Sequence, residues 1–255
     1  MNRPFLSLVA PVFNESALIK DVICDWAKSL EKGIDLELWS SYEIILCDDA
    51  STDSTVNIIQ DMMHQLPNLI LLRNTVNRGA GIALKKTIRA TRGDYVVLID
   101  SDGQFDSEQI CDMFMNLKDQ YDAVFGYRKK ADRKLHILFS YLSTKYGNFM
   151  MKTRAKDFNC QFKLVPGEVL RALPLRATRM NYSGEITAML SQTNLSIKWI
   201  QVNHRERSQG KSNTRLVRDG IARFLFLTYL GLEYYLIVKK KSVDAIGNWY
   251  QESKK

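Results

Sequence analysis

Val97–Asp106, VLIDSDGQFD, runs from an apolar strand straight into three carboxylates and an amide: Asp100, Asp102, Gln104 and Asp106. An unbroken apolar run is how a strand buried on both faces of a parallel sheet reads. Oxygen donors crowded at its end lie where such sheets bind their ligands. Two carboxylates two residues apart, with an amide beyond a turn at Gly103, can aim oxygens at one hard cation. All the donors are oxygen and no histidine is near, which selects Mg2+ or Mn2+.

The same pattern recurs upstream. Leu6–Pro11 reads as a strand and 16–31 as an amphipathic helix, with Leu18, Val22, Trp26, Ala27 and Leu30 near helical spacing. A strand over 42–51, a helix over 52–66, a strand over 68–74 and a helix over 81–91 lead into the strand 93–102. Alternation with short loops predicts an α/β chain with a mainly parallel central sheet and helices on both faces. Polar residues follow every strand: Asn14 and Glu15, then Asp48 and Asp49, then Asn77 and Arg78, then Asp100 to Gln104. Four loops are therefore expected to converge on one site. Acidic loops so placed repel one another unless a cation or ligand hydroxyls balance them.

Composition sets the bounds. The 255 residues, 45% of them apolar, suffice for one large α/β unit. Neither a repeat nor a Pro/Gly/Ser linker divides them. Residues 1–127 carry 11 Lys and Arg against 19 Asp and Glu, and residues 128–255 carry 25 against 9, so nets of −8 and +16 underlie the total of +8. An acidic half suits a divalent cation, and a basic half suits phosphates or an anionic membrane. Cys24, Cys47, Cys111 and Cys160 form no CxxC pair, as expected of reduced thiols. The start, MNRPFLSLVAPVFNES, lacks the features of a signal peptide, so the protein is expected to stay inside the cell. Gly79 and Gly81 give neither a dinucleotide fingerprint nor a P-loop and are expected to turn the chain into a helix. His64, His136 and His204 lie far apart, and no GxSxG, HExxH or Cys/His pairing is present.

Six stretches, VAPVFNES (9–16), CDDASTDST (47–55), NRGAGIALKKTIRATRGDYVVLIDSDGQFD (77–106), GYRKKADRK (126–134), DFNCQFKLVP (157–166) and HRERSQGKSN (204–213), carry a resemblance. In this order they resemble the family-2 inverting glycosyltransferases of GT-A (Rossmann-like) fold. Within these they are similar to the dolichol-phosphate mannose synthase and bacterial polyprenyl-phosphate glycosyltransferase branch, over residues 5–215.

The resemblance implies transfer of a sugar from a UDP- or GDP-linked donor to a polyprenyl phosphate at the cytoplasmic face of a membrane. It implies that Pro11, Phe13, Asn14, Glu15 and Asp49 hold the base and ribose, with Arg78, Gly79 and Ser101 beside them. Asp100, Asp102 and Gln104 would bind the metal that bridges the diphosphate. Arg128, Arg133 and Lys134 resemble residues that hold the acceptor phosphate. Asp157 would orient the sugar, or act as a base if the acceptor were a hydroxyl. Arg207, Lys211 and Ser212 fall in an R-x-x-G-K-S loop that folds over donor and acceptor phosphates. Two positions depart from the family pattern: Ala50 and Gln161 each stand where it has glycine. Transfer to a saccharide or lipid hydroxyl is the alternative; a nucleic-acid-binding module, for which no RNA or DNA motif is present, and an inactive regulator rank below it.

Residues 216–255 are expected to form a helical segment of the same unit. Its apolar run, 224–238, is 15 residues long and includes Glu233. As a helix it reaches about 22 Å, short of a ~30 Å hydrocarbon core. Arg215, Arg218 and Arg223 precede it, Lys239, Lys240 and Lys241 follow, and Tyr229, Tyr234 and Tyr235 lie within, as in a helix lying on an anionic membrane. Packing on the domain, or on a second copy of the chain as a homo-oligomer, is the other use open to it.

Overall fold

The computed structural model describes residues 3–118, 121–128, 134–205, 216–235 and 239–253. Four parallel strands come first: β1 (Phe5–Val12), β2 (Ser41–Asp48), β3 (Leu69–Arg73) and β4 (Tyr95–Leu98). They are joined by α1 (Ile19–Asp35), α2 (Thr55–Met63) and α3 (Ala80–Ala90). Then follow α4 (Gln109–Lys118), β5 (Ala123–Arg128), α5 (Lys134–Met151), β6 (Lys163–Pro166), α6 (Gly167–Ala172), α7 (Tyr182–Leu190), β7 (Ile197–Val202), α8 (Leu216–Tyr235) and α9 (Lys239–Ser253). The strands make one sheet in the order β3-β2-β1-β4-β6-β5-β7. Strand order reverses between β1 and β4, which opens a crevice at their carboxyl ends.

Alternation along the strands supplies two cores. Leu6, Leu8, Ala10, Val97 and Ile99 pack under Ile19, Ile23 and Trp26 of α1, with α2 and α4 beside it. Val9, Ile45, Val96 and Leu98 face the other way, toward Leu84 and Ile88 of α3 and the buried side of α7. A third cluster joins α5 and α8 through Met151, Phe158, Leu227 and Leu230. Helices on both faces are what apolar runs without alternation require.

The elements differ from the sequence reading mostly at their ends. β4 stops at Leu98 and the acidic residues form a turn, with Gly103 at φ +70°, a conformation open to glycine. α1 begins three residues later than the apolar spacing suggested, because Glu15 O accepts the N–H groups of Leu18 and Ile19 in a preceding turn. α2 begins at Thr55, whose N–H and hydroxyl donate to Asp53 Oδ1 at 3.0 and 2.5 Å.

β6 fixes the far side of the crevice. It is antiparallel to both β4 and β5, with Leu98 opposite Lys163 and Phe125 opposite the same lysine. Its incoming loop, 157–162, therefore arrives beside the outgoing ends of β4 and β5.

Ala50 has φ +63°, in the left-handed region. Its methyl group makes that backbone costly, which accounts for glycine at this place in the family pattern. Ala50→Gly is expected to raise stability by about 0.5–1 kcal/mol in denaturant titration, net of the extra freedom it gives the unfolded chain. Gln161 is absent from the positive-φ residues, so its backbone does not need glycine.

Candidate active site

The loops after β1, β2 and β3 are bound together by backbone donors and short polar side chains. Asn14, at φ +55°, donates its N–H to Ser51 Oγ at 2.9 Å and accepts from Thr52 N at 2.8 Å. Glu15 N donates to Thr55 Oγ1 at 2.9 Å, and Ser16 N to Asp53. Pro11 O accepts the Ser101 hydroxyl at 2.8 Å, which ties the first loop to the acidic turn. Phe13 is partly exposed between them.

Asp49 organises the second side. Its carboxylate is buried and accepts from Asn74 Nδ2 at 2.8 Å, Arg78 N at 3.0 Å and Gly79 N at 2.6 Å. Gly79 precedes α3, so the negative charge also sits at the positive end of that helix. A Cβ on Gly79 would lie 2.5 Å from Thr178 O, and its φ is +94°, so glycine is required there. Asp49 thus shapes the loop expected to receive the nucleotide. Asp49→Ala is expected to cost about 1–3 kcal/mol of stability and a similar amount of nucleotide affinity, through the N–H groups it leaves unpaired. Denaturant titration and calorimetry with the bare nucleotide check the two losses separately.

The acidic turn fits a cation. Burial, and then the charge of Asp102, push the Asp100 carboxyl up to about 6, and Tyr182 Oη donates to Asp100 Oδ1 at 2.8 Å. A buried carboxyl beside a second negative charge is the arrangement a positive ion relieves. Asp102 Oδ1 accepts Gln104 N at 3.1 Å, and Gln104 Nε2 donates to Arg205 O at 3.0 Å, which holds the turn in shape. Among the described residues no three His, Cys, Asp or Glu side chains converge. A cation held by Asp100 and Asp102 would therefore complete its shell with Gln104, phosphate oxygens and water, as Mg2+ commonly does.

Across the crevice, Asp157 is held by Arg128 at the end of β5. Arg128 Nε lies 2.9 Å from Oδ2 and Nη2 3.3 Å from Oδ1, a two-pronged pair, and Asn159 N donates to Oδ1 at 2.9 Å. Burial pushes the Asp157 carboxyl up, but the Arg128 charge and these hydrogen bonds outweigh it and hold it below the usual range. Beneath lies Lys163, fully buried, whose ammonium donates to Cys160 O and to Ser183 Oγ. Burial lowers its pKa to about 8.

The strand β7 brings His204 and Arg205 to the acidic turn. Arg205 N donates to Gln104 O at 2.7 Å, Phe105 and His204 form a bridge, and their rings meet edge to face. Arg207, Lys211 and Ser212 follow directly, but they and Arg133 lie outside the described residues, as do the side chains of Lys134 and Lys239–Lys241. Sequence reading did not single out Asn74, Tyr182 or Lys163. Asn74 directly follows β3, which was a usable signal; the other two are the first residues of short apolar elements and gave none.

The geometry can be set beside known proteins. The model of the family described as Glycosyl transferase family 2 matches residues 7–173. The chain belongs to glycosyl transferase family 2. As a member it is a glycosyltransferase that draws on a nucleotide sugar. It is 30% identical to a dolichyl-phosphate beta-glucosyltransferase of Dictyostelium discoideum, over 89% of this chain and 76% of that one. It is 26% identical to an undecaprenyl-phosphate 4-deoxy-4-formamido-L-arabinose transferase of Shewanella sediminis (strain HAW-EB3), covering 83% of this chain but only 62% of the relative. Among solved structures, the mannosyltransferase PcManGT from Pyrobaculum calidifontis, in complex with GDP-Man and Mn2+, superposes with a TM-score of 0.64 at 20% identity, covering 90% of this chain and 64% of that one. Glucosyl-3-phosphoglycerate synthase from Mycobacterium tuberculosis gives a TM-score of 0.65 at 21% identity, covering 89% and 80%. At such identity these show the fold alone, and the family 2 enzyme has the GT-A arrangement that the resemblance implied.

Proposed function

We propose that this glycosyltransferase moves a hexose from a UDP- or GDP-linked donor to the phosphate of a polyprenyl phosphate, at the cytoplasmic face of a membrane. The observation that carries the choice of acceptor is the pairing of Asp157 with Arg128. A hydroxyl acceptor calls for a general base, and a carboxylate held below its usual range by a guanidinium is a weak one. A phosphate is already an anionic nucleophile, so it needs orientation and charge balance instead. Dolichyl and undecaprenyl phosphates are named in the two relatives above, which supports the same reading.

The roles follow the order of strands. Asn14, Glu15 and the loop held by Asp49 receive the nucleoside over β1 and β2. Mg2+ or Mn2+ at Asp100, Asp102 and Gln104 would neutralise the departing nucleoside diphosphate. Arg128, with Asp157 fixing its fork, meets the acceptor phosphate over β5. Arg207, Lys211 and Ser212 follow Arg205 in the sequence and are the residues proposed to close over both phosphates.

A lipid acceptor needs a lipid-facing surface. No helix among the described residues is long and apolar enough to cross a membrane. α8, however, exposes Ile221, Leu225, Tyr229 and Leu232 at intervals of four, four and three residues, and α5 beside it exposes Leu142 and Phe149, the latter 77% accessible. One apolar stripe shared by two packed helices suits a helix pair lying in the headgroup region.

A donor screen by thermal shift tests the assignment of the site. One nucleotide sugar among UDP- and GDP-linked hexoses is expected to raise Tm when Mn2+ or Mg2+ is present and far less with chelator, because a ligand of the native state stabilises it. No shift with any donor in either metal contradicts the reading.

A further inference from the structure

Gln161 is only 1% exposed, yet neither its amide oxygen nor its amide nitrogen pairs with any group among the described residues. A buried amide without partners is costly, and native structures hold few of them. The neighbours of Gln161 are buried with it below the acidic turn. Cys160 O accepts from Lys163 and Ser183, and the Phe162 ring lies 5.5 Å from Phe105 of the acidic turn.

Strand order locates it further. β6 lies between β4, which ends in the acidic turn, and β5, which ends in Arg128. The ladder between β4 and β6 ends at the pair Leu98 and Lys163, so Asp100 lies two residues beyond it on one chain segment and Gln161 two residues before it on the other. From β4 to β5 is two strand spacings, about 10 Å. If the diphosphate sits over β4 and the acceptor phosphate over β5, the sugar in transit lies over β6.

We infer that Gln161 is a sugar-recognising residue, whose amide pairs with hydroxyl groups of the transferred hexose. An amide offers both a donor and an acceptor, as a hydroxyl does, and the pairing would be completed only in the donor-loaded protein. The assignment rests on the donor site proposed above. A site that must satisfy a buried amide discriminates strongly against sugars lacking the matching hydroxyl.

Gln161→Met keeps the volume and removes the polarity, so its effects on the empty and loaded states should have opposite signs. Ligand-free Tm is expected to rise by about 2–4 °C. In Mn2+, calorimetry with the nucleotide sugar that wild type binds best, chosen from UDP-glucose, UDP-galactose and GDP-mannose, should show Kd raised about tenfold. Kd for the corresponding UDP or GDP should stay within about twofold, since the sugar contact is absent from both proteins. Gln161→Gly should weaken the sugar nucleotide alike without the gain in Tm. Equal losses for sugar nucleotide and bare nucleotide overturn the inference, as does an unchanged Kd for both. So does a lower ligand-free Tm in Gln161→Met, which would mean that the amide is already paired in the empty protein. If wild type binds the bare nucleotide but gains nothing from the sugar, Gln161 alone loses its role. If it binds no nucleotide at all, the donor site itself is wrong.

Discussion

Asp102→Asn is expected to leave a folded protein whose sugar transfer in Mn2+ falls by about 10³-fold, the scale on which losing a preorganised charge at the reacting centre is felt. Asn keeps the size of the side chain and an oxygen to accept Gln104 N–H, so the turn survives. It also removes the charge that, after burial, raises Asp100, and the ligand-free protein should be no less stable than wild type. Activity and stability would thus part company. The checks are Tm without metal, Mn2+-dependent binding of the preferred nucleotide sugar, and turnover. Wild-type turnover at limiting Mn2+ would remove Asp102 from the site.

Arg128→Ala carries the second large effect, and it acts on two properties at once. It leaves Asp157, whose side chain is 10% exposed, as a nearly buried charge without its cation, at a cost of about 3 kcal/mol. It should also lower kcat or raise KM for a short-chain polyprenyl phosphate by at least about tenfold, while donor affinity stays near wild type. Adding Asp157→Asn should return most of the stability without returning use of the acceptor. Arg128→Lys should not rescue either property fully, because an ammonium cannot make the two-pronged contact. Loss of donor binding in Arg128→Ala would move Arg128 to the nucleotide diphosphate.

The half of the molecule made by β1 to β4 was legible because each strand is an apolar run that stops at polar residues. Asp49 and the Asp100–Gln104 turn could be placed on one crevice by that rule alone. Strand and helix ends were less legible, since they depend on side chains such as Asp53 and Thr55 taking backbone partners. β6 was hidden for a different reason. It is four residues, KLVP, with a lysine at the first position and a proline at the last, and its partners are at least 65 residues away in β4 and 38 in β5. Nothing local announces such a strand, yet the loop that leads into it carries Gln161 and Asp157, the latter held by Arg128 at the end of β5. Tyr182 was equally silent: its hydroxyl reaches Asp100 across 82 residues of chain. Ala50 and Gln161 were both legible as departures from glycine, but only the fold separates them. The first occupies a left-handed backbone, and the second carries a buried amide.

Whether a phosphate is the acceptor's nucleophile is decided by the product. The enzyme would be incubated in Mn2+ with its preferred nucleotide sugar and, in parallel, a water-soluble polyprenyl phosphate and the matching polyprenyl alcohol, with products read by mass spectrometry. The expected product is a glycosyl phosphodiester, the acceptor plus one hexose residue, formed together with an equal amount of nucleoside diphosphate, with no turnover of the alcohol. Glycosylation of the alcohol with kcat/KM equal to or above that of the phosphate would contradict it.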